Sequence, residues 1–176
     1  MKRAVTLIEL IMAIALMGVV ILGVASFDVG SRRFLQASER KTQVLNEATL
    51  IMDRITRDAL TAVGNVTAPA IGTTATTITI NQDTNWDGIA DTIVIYSMAG
   101  NTITRSVGGA AETLTNRATG FVVGAPVGNT VPITLTLVFD ATQPLNTRNT
   151  VQARTENNNP QVQVQSNIEV PGWSLG

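Results

Sequence analysis

The sequence predicts an α+β protein: a long N-terminal helix, transmembrane in its first half and amphipathic in its second, packed on a C-terminal antiparallel β-sheet head. Three observations predict it. Residues 5–27 are almost wholly apolar. Residues 28–63 carry much of the charge and space their apolar side chains at steps of three and four. From about residue 64 the chain becomes rich in Thr, Asn, Val and Gly and alternates in twos. The expected divisions are a leader at 1–4, a membrane-crossing helix at 5–27, its amphipathic continuation at 28–63 and a β-rich head at 64–176.

Met1-Lys2-Arg3-Ala4 is short and basic, and Val5 to Phe27 then runs VTLIELIMAIALMGVVILGVASF with one charge, Glu9. At about 1.5 Å per residue this run can cross a hydrocarbon core of about 30 Å. Lys2 and Arg3 belong on the cytoplasmic side, which puts the head outside. Glu9 is the anomaly, because an acid at the centre of a membrane helix costs roughly 2.5–3.5 kcal/mol. Its position near the cytoplasmic end reduces that cost. A cation supplied by another molecule would offset the remainder, and a free amine at Val5 of a neighbouring helix would lie at the right depth.

Ala4-Val5-Thr6-Leu7-Ile8-Glu9-Leu10 resembles the cleavage and methylation motif of type IV prepilins, usually Gly-Phe-Thr-Leu-Ile-Glu-Leu. The resemblance covers the leader and the apolar helix. It implies cleavage by a prepilin peptidase between Ala4 and Val5, N-methylation of Val5, and pairing of Glu9 with the new amine of an adjacent subunit. It implies an inner-membrane assembly platform as partner, membrane lipid around the helix before assembly, and other pilin or pseudopilin subunits afterwards. Ala4 stands where glycine is usual and Val5 where phenylalanine is usual. The proline frequent in the family's apolar run is missing, so Gly18, Gly23 and Gly30 are where any local unwinding should begin.

The continuation places Phe34, Ala37, Val44, Ala48, Ile51, Ile55, Ala59 and Ala62 on one stripe, with Lys41 interrupting. Arg33, Glu39, Arg40, Glu47, Arg54 and Asp58 are expected mostly off it. Asp53 and Arg57 form an i,i+4 pair, and Gly64-Asn65 supplies a stop. Met52 to Ala59 resembles the helix end of PilW-like minor pilins and J-like type II secretion pseudopilins. A continuous apolar rod suits side-by-side packing with a fixed rotation and rise, a heterologous contact that yields an open helical filament.

In the head, Thr77–Ile80, Thr92–Tyr96 and Thr102–Arg105 alternate as strands, with a tight turn at Ala99-Gly100-Asn101. Ile133, Leu135, Leu137 and Phe139 share one strand face opposite Thr134 and Thr136. Val151, Ala153 and Thr155 suggest another strand, as do Val162 and Val164. Pro132 implies that its strand begins late or lies at an edge. Five to seven strands in one sheet are expected, with Trp173 tucked against it.

The densest polar cluster is Asp83-Thr84-Asn85-Trp86-Asp87-Gly88-Ile89-Ala90-Asp91. Its D-x-N-x-D-G-x-x-D pattern matches the first part of an EF-hand-type calcium loop. Asp83, Asn85 and Asp87 alternate toward one point, Gly88 permits a sharp turn, Ile89 offers a carbonyl and Asp91 a later carboxylate. The twelfth loop position is Val94, so the usual bidentate glutamate is absent. The same residues suit a hairpin loop wound by Asx turns. Trp86 is either an exposed contact or a buried anchor.

Twelve basic and thirteen acidic residues leave no charge excess to favour nucleic acid. No cysteine allows a disulfide framework, and no histidine supplies the commonest general base or metal ligand. The expectation is a structural subunit with no catalytic residues and no required cofactor, calcium being optional. It would sit as a single-pass inner-membrane protein, its head periplasmic or extracellular, and later in a pilus or pseudopilus. The alternatives are a secreted adhesive or ligand-binding β-domain with an ordinary signal peptide cut before Ser26, and an enzyme using the Asp cluster with a divalent metal.

Overall fold

The computed structural model describes residues 6–63, 71–127, 129–142 and 159–169. Among the described residues, one helix, α1, runs Leu7–Leu60. Eight strands follow among them: β1 Ile71–Thr74, β2 Thr77–Gln82, β3 Thr92–Ala99, β4 Thr102–Val107, β5 Ala110–Thr115, β6 Ala118–Val123, β7 Thr130–Val138 and β8 Gln161–Glu169. The class is α+β. The chain forms two compact units, residues 1–39 and 40–176.

The first unit is helical from Leu7 onward. Helical structure continues without a break through Gly18, Gly23 and Gly30. That counts against the expectation that the chain weakens at these glycines. An added Cβ would meet nothing within 4 Å at any of the three.

In the second unit, Val44, Ala48, Ile51, Met52, Ile55 and Ala59 are the buried face of α1, as the spacing predicts for this half of the helix. Phe34, further back on the same stripe, is 75% exposed. The helix stops at Leu60, earlier than expected. Ala62 forms a bridge with Gln82, and the Val63 N–H donates to the Asn81 carbonyl at 2.8 Å. Pairing with β2 therefore ends the helix before Gly64-Asn65, which lie outside the described residues.

The strands make two antiparallel sheets among the described residues, not one. The first is a meander in the order β1-β2-β3-β4-β5, and the second has the order β6-β7-β8. The signal overlooked was Gly108-Gly109, which turns between β4 and β5 with φ of 55° and 93°. Two glycines at positive φ are what a two-residue hairpin needs. The Ala99–Thr102 turn is as expected, with Ala99 paired to Thr102 and Gly100 at φ 59°.

Ile133, Leu135 and Leu137 are fully buried on one face of β7, with half-buried Thr134 and Thr136 opposite. Pro132, however, lies inside β7 and that strand is central. Its missing N–H is tolerated because β6 ends at Val123, opposite Ile133. The Pro132 carbonyl still accepts from the Gly124 N–H at 2.8 Å. Gly124 is required there, since a Cβ would fall 2.6 Å from Pro132 Cγ. Val162 and Ile168 of β8 are buried. The expected strand at 151–155 and Trp173 lie outside the described residues.

One core joins α1 to both sheets: Ile51 and Ile55 share it with Ile78, Ile80, Val94, Ile103, Phe121 and Leu135. Each fully buried aliphatic side chain contributes about 1.5–3 kcal/mol.

Candidate functional site

Three regions hold the chemistry. The first is the start of α1. Thr6 is its N-cap, and Glu9 lies at the third helical position. The Glu9 carboxylate accepts the Thr6 N–H and the Thr6 hydroxyl, each at 2.9 Å, and the Glu9 N–H points back to Thr6 Oγ1 at 3.4 Å. This is a reciprocal capping box. The Thr-x-x-Glu spacing carries that signal, and the reading of Glu9 as an intermolecular partner had passed over it. Glu9 thus organises its own helix start as well as carrying an unexplained charge. Ala4 and Val5 lie outside the described residues.

Leu7, Ile8, Leu10, Ile11, Ile14 and Leu16 are all more than half exposed, and the same holds along the run to Val24 and Phe27. An 18-residue apolar window of α1 has none of its length buried within the chain. The helix is long and apolar enough to cross a membrane. An isolated apolar surface of that extent marks contact with lipid or protein.

The second region is the loop between β2 and β3. Asp83 is 6% exposed, and its carboxylate gathers backbone donors: the Trp86 N–H at 2.6 Å, the Asp87 N–H at 3.3 Å and the Gly88 N–H at 2.6 Å. Asn85 Oδ1 accepts the Asp87 N–H at 3.0 Å, and the Asn85 amide donates to Asp87 Oδ2 at 3.0 Å. The Ile89 N–H donates to Asp87 Oδ1 at 2.8 Å. The Asp91 carboxylate takes the Thr84 hydroxyl at 2.8 Å and the Thr84 N–H at 3.1 Å. Those two bonds hold the Asp91 carboxyl below the usual carboxylate range.

The five expected calcium ligands, Asp83, Asn85, Asp87, Ile89 and Asp91, are therefore together in one loop. Their acidic oxygens are turned onto the loop's own donors in Asx-type turns. Among the described residues, no three acidic side chains form a ready cation cage. Gly88 takes the expected positive φ, 86°. Trp86 also has positive φ, 65°, and is 81% exposed, so it is the exposed contact and not the buried anchor. Holding a bulky residue in that region costs of order 1–3 kcal/mol.

The third region was not expected. Asp58 accepts Arg105 Nε at 2.8 Å and Arg105 Nη2 at 3.2 Å, and it also accepts the Tyr96 hydroxyl. Arg105 Nε lies 3.1 Å from the Tyr96 oxygen. Burial and the Asp58 carboxylate both push the Tyr96 phenol far above its ordinary range. The Asp58 hydrogen bonds, chiefly, raise the Arg105 guanidinium further. A second clamp joins Glu47 to Arg117 at 3.0 Å, while Arg40 and Arg117 both stack on the Phe139 ring, 5.0 and 5.2 Å from its centroid. Both clamps tie the second half of α1 to the sheets. Glu47 and Asp58, one acid from each clamp, both line a hollow along α1, with Leu50, Ile51 and Leu114.

Comparison of the chain with family models, with curated proteins and with solved structures gives no match.

Proposed function

We propose that this chain is a structural subunit, a minor pilin or pseudopilin, of a type IV pilus or type II secretion pseudopilus. The observation that carries the reading is the apolar first part of α1, exposed along its length and bearing one acid, Glu9, in its first turn. In this reading a prepilin peptidase cuts between Ala4 and Val5 on the cytoplasmic side and methylates Val5. The helix waits in the inner membrane with the head outside. An assembly platform then moves it into a helical filament, where sister helices replace lipid. Because both environments are apolar, transfer is near balance and needs an external motor.

The Glu9 carboxylate has a task beyond the capping box. A capping box needs only an acceptor, which glutamine also supplies. A full charge in an apolar run is explained by a cationic partner, the Val5 amine of the next subunit. Mass spectrometry of the mature N-terminus tests the proposal. A methylated chain starting at Val5 is expected; a chain starting at Ser26 would indicate ordinary secretion of an adhesive or ligand-binding domain.

Calcium at the Asp83–Asp91 loop is a second proposal, supported by Gly88's positive φ at the sixth loop position. Binding requires Asn85 and Asp87 to release one another. Without the bidentate glutamate, affinity falls in the range of extracellular modules, roughly 10⁻⁴–10⁻³ M. Calorimetry with the full chain in detergent should show calcium heat that disappears in Asp87→Ala, and no heat from the unmodified chain overturns the site.

A further inference from the structure

We infer that Arg33, with Phe34 beside it, binds the phosphate of an anionic phospholipid headgroup where α1 leaves the bilayer. The inference rests on the reading of α1 as a membrane-crossing helix and names the lipid contact that fixes its depth before assembly.

The length of the uncharged run sets that depth. Leu10 to Phe27, eighteen residues, contains no Asp, Glu, Lys or Arg. As helix this run rises about 27 Å, which matches a hydrocarbon core of about 30 Å. The Arg33 backbone then lies about 9 Å past Phe27. Helical side chains lean toward the N-terminus, here back toward the bilayer. The guanidinium of a centred helix therefore lies in the headgroup layer, about 5–7 Å deep on each side.

Arg33 is the uncompensated charge at that level. Arg32 bonds Asp28 at 2.9 Å, so that pair is neutral. Arg33 is exposed and has no hydrogen bond or ion pair to any described residue. Its planar fork of five N–H donors matches a phosphate in shape and charge. Gly30, one turn closer to the bilayer, has open space where a Cβ would stand, so a headgroup can approach unobstructed. Phe34 is 75% and Leu35 56% exposed. Apolar side chains of this kind bury at the boundary between headgroups and acyl chains.

A phospholipid is the occupant because it alone brings both halves of the match. Free phosphate offers nothing to Phe34 or to the apolar run beneath. A sister helix held at the same depth would bring its own Arg33, and like charges repel. The lipid contact is one that extraction into a filament has to break.

The chain has no cysteine, so Ser26→Cys provides a single thiol. Ser26 is exposed and lies seven residues before Arg33, two turns back on the same face. The full chain carries a bimane there and is reconstituted in mixed phosphatidylcholine and phosphatidylglycerol vesicles, with one lipid or the other brominated in its acyl chains. Quenching reads which lipid lies beside the reporter. The inference predicts a preference of about fivefold for phosphatidylglycerol, the scale of one basic residue at an anionic surface. Arg33→Gln should abolish most of it, and Arg33→Lys should retain most of it. Lys41→Gln, eight residues further on, should leave it unchanged. Equal quenching by both lipids overturns the inference and leaves the membrane reading standing. A preference that survives Arg33→Gln, or that Lys41→Gln lowers equally, is a diffuse field and also overturns it. Quenching by both lipids that is lost as the protein-to-lipid ratio rises assigns the face to a sister helix and overturns the lipid contact. No quenching by either lipid at any ratio counts against the membrane reading and the inference together.

Discussion

Asp58 on α1 and Arg105 on β4 meet through two parallel hydrogen bonds, with each side chain only 15% exposed. Two charges removed from water at this depth need each other, and the geometry supplies a bidentate match. Tyr96 donates a third bond to Asp58, so the carboxylate is well satisfied.

Asp58→Ala leaves the largely buried Arg105 guanidinium with only one acidic contact, the longer one to Glu112 at 3.5 Å, in place of its main partner. A loss of about 3–5 kcal/mol in unfolding free energy is expected. The measurement is denaturant unfolding of the full chain in detergent, followed by circular dichroism. Asp58→Leu combined with Arg105→Leu should recover most of that loss, because the stranded charge is gone. A double variant as unstable as the single one contradicts the account.

Tyr96 is the chain's one tyrosine, which makes its titration directly visible. Burial and Asp58 favour the neutral phenol in the folded state. The stability this contributes is fully present below the unfolded value of about pH 10 and is lost as pH rises toward the folded value. Tyrosinate absorbance should therefore stay absent past pH 10 and rise together with unfolding. An ordinary titration centred near pH 10 in folded protein would refute the network. Tyr96→Phe should cost about 1 kcal/mol at neutral pH.

Gly124→Ala forces a methyl against the Pro132 ring, where 2.6 Å separates the two positions. Overpacking of this kind costs about 1–3 kcal/mol. Thermal unfolding should show the loss, and Pro132→Ala in the same chain should relieve the clash. If Gly124→Ala alone is neutral, the tight approach at the β6 end does not hold in solution.

The legible parts of the fold were those where one signal dominated. Ile51, Ile55 and Ala59 announced the buried face of α1 by spacing, and β7 announced itself by strict alternation from Ile133 to Leu137. The β5 strand was overlooked because Ala110-Ala111-Glu112 has weak strand character, although Gly108-Gly109 marked its turn. Asp58 was placed off the stripe by its charge, yet the steps Ile51, Ile55, Asp58, Ala62 put it on the buried face. A charge at a core position with an arginine elsewhere to meet it was the available clue; which arginine it meets depends on the register between β3 and β4. At the helix start, Thr6 and Glu9 satisfied a capping pattern that was read only as an assembly motif. The loop residues 83–91 were found together as expected, but spacing does not determine whether oxygens face a cation or their own backbone.

The central claim is that the charge of Glu9, and not merely its cap, is what assembly requires. Glu9→Gln separates the two, because glutamine can accept the Thr6 bonds while carrying no charge. The measurement is the yield of sheared filaments from cells expressing Glu9→Gln alone, normalised to membrane-held subunit. The account predicts a drop of roughly tenfold or more, on the scale of a lost partner for a charged amine in an apolar site. Filament yield equal to that of the unmodified chain would contradict it.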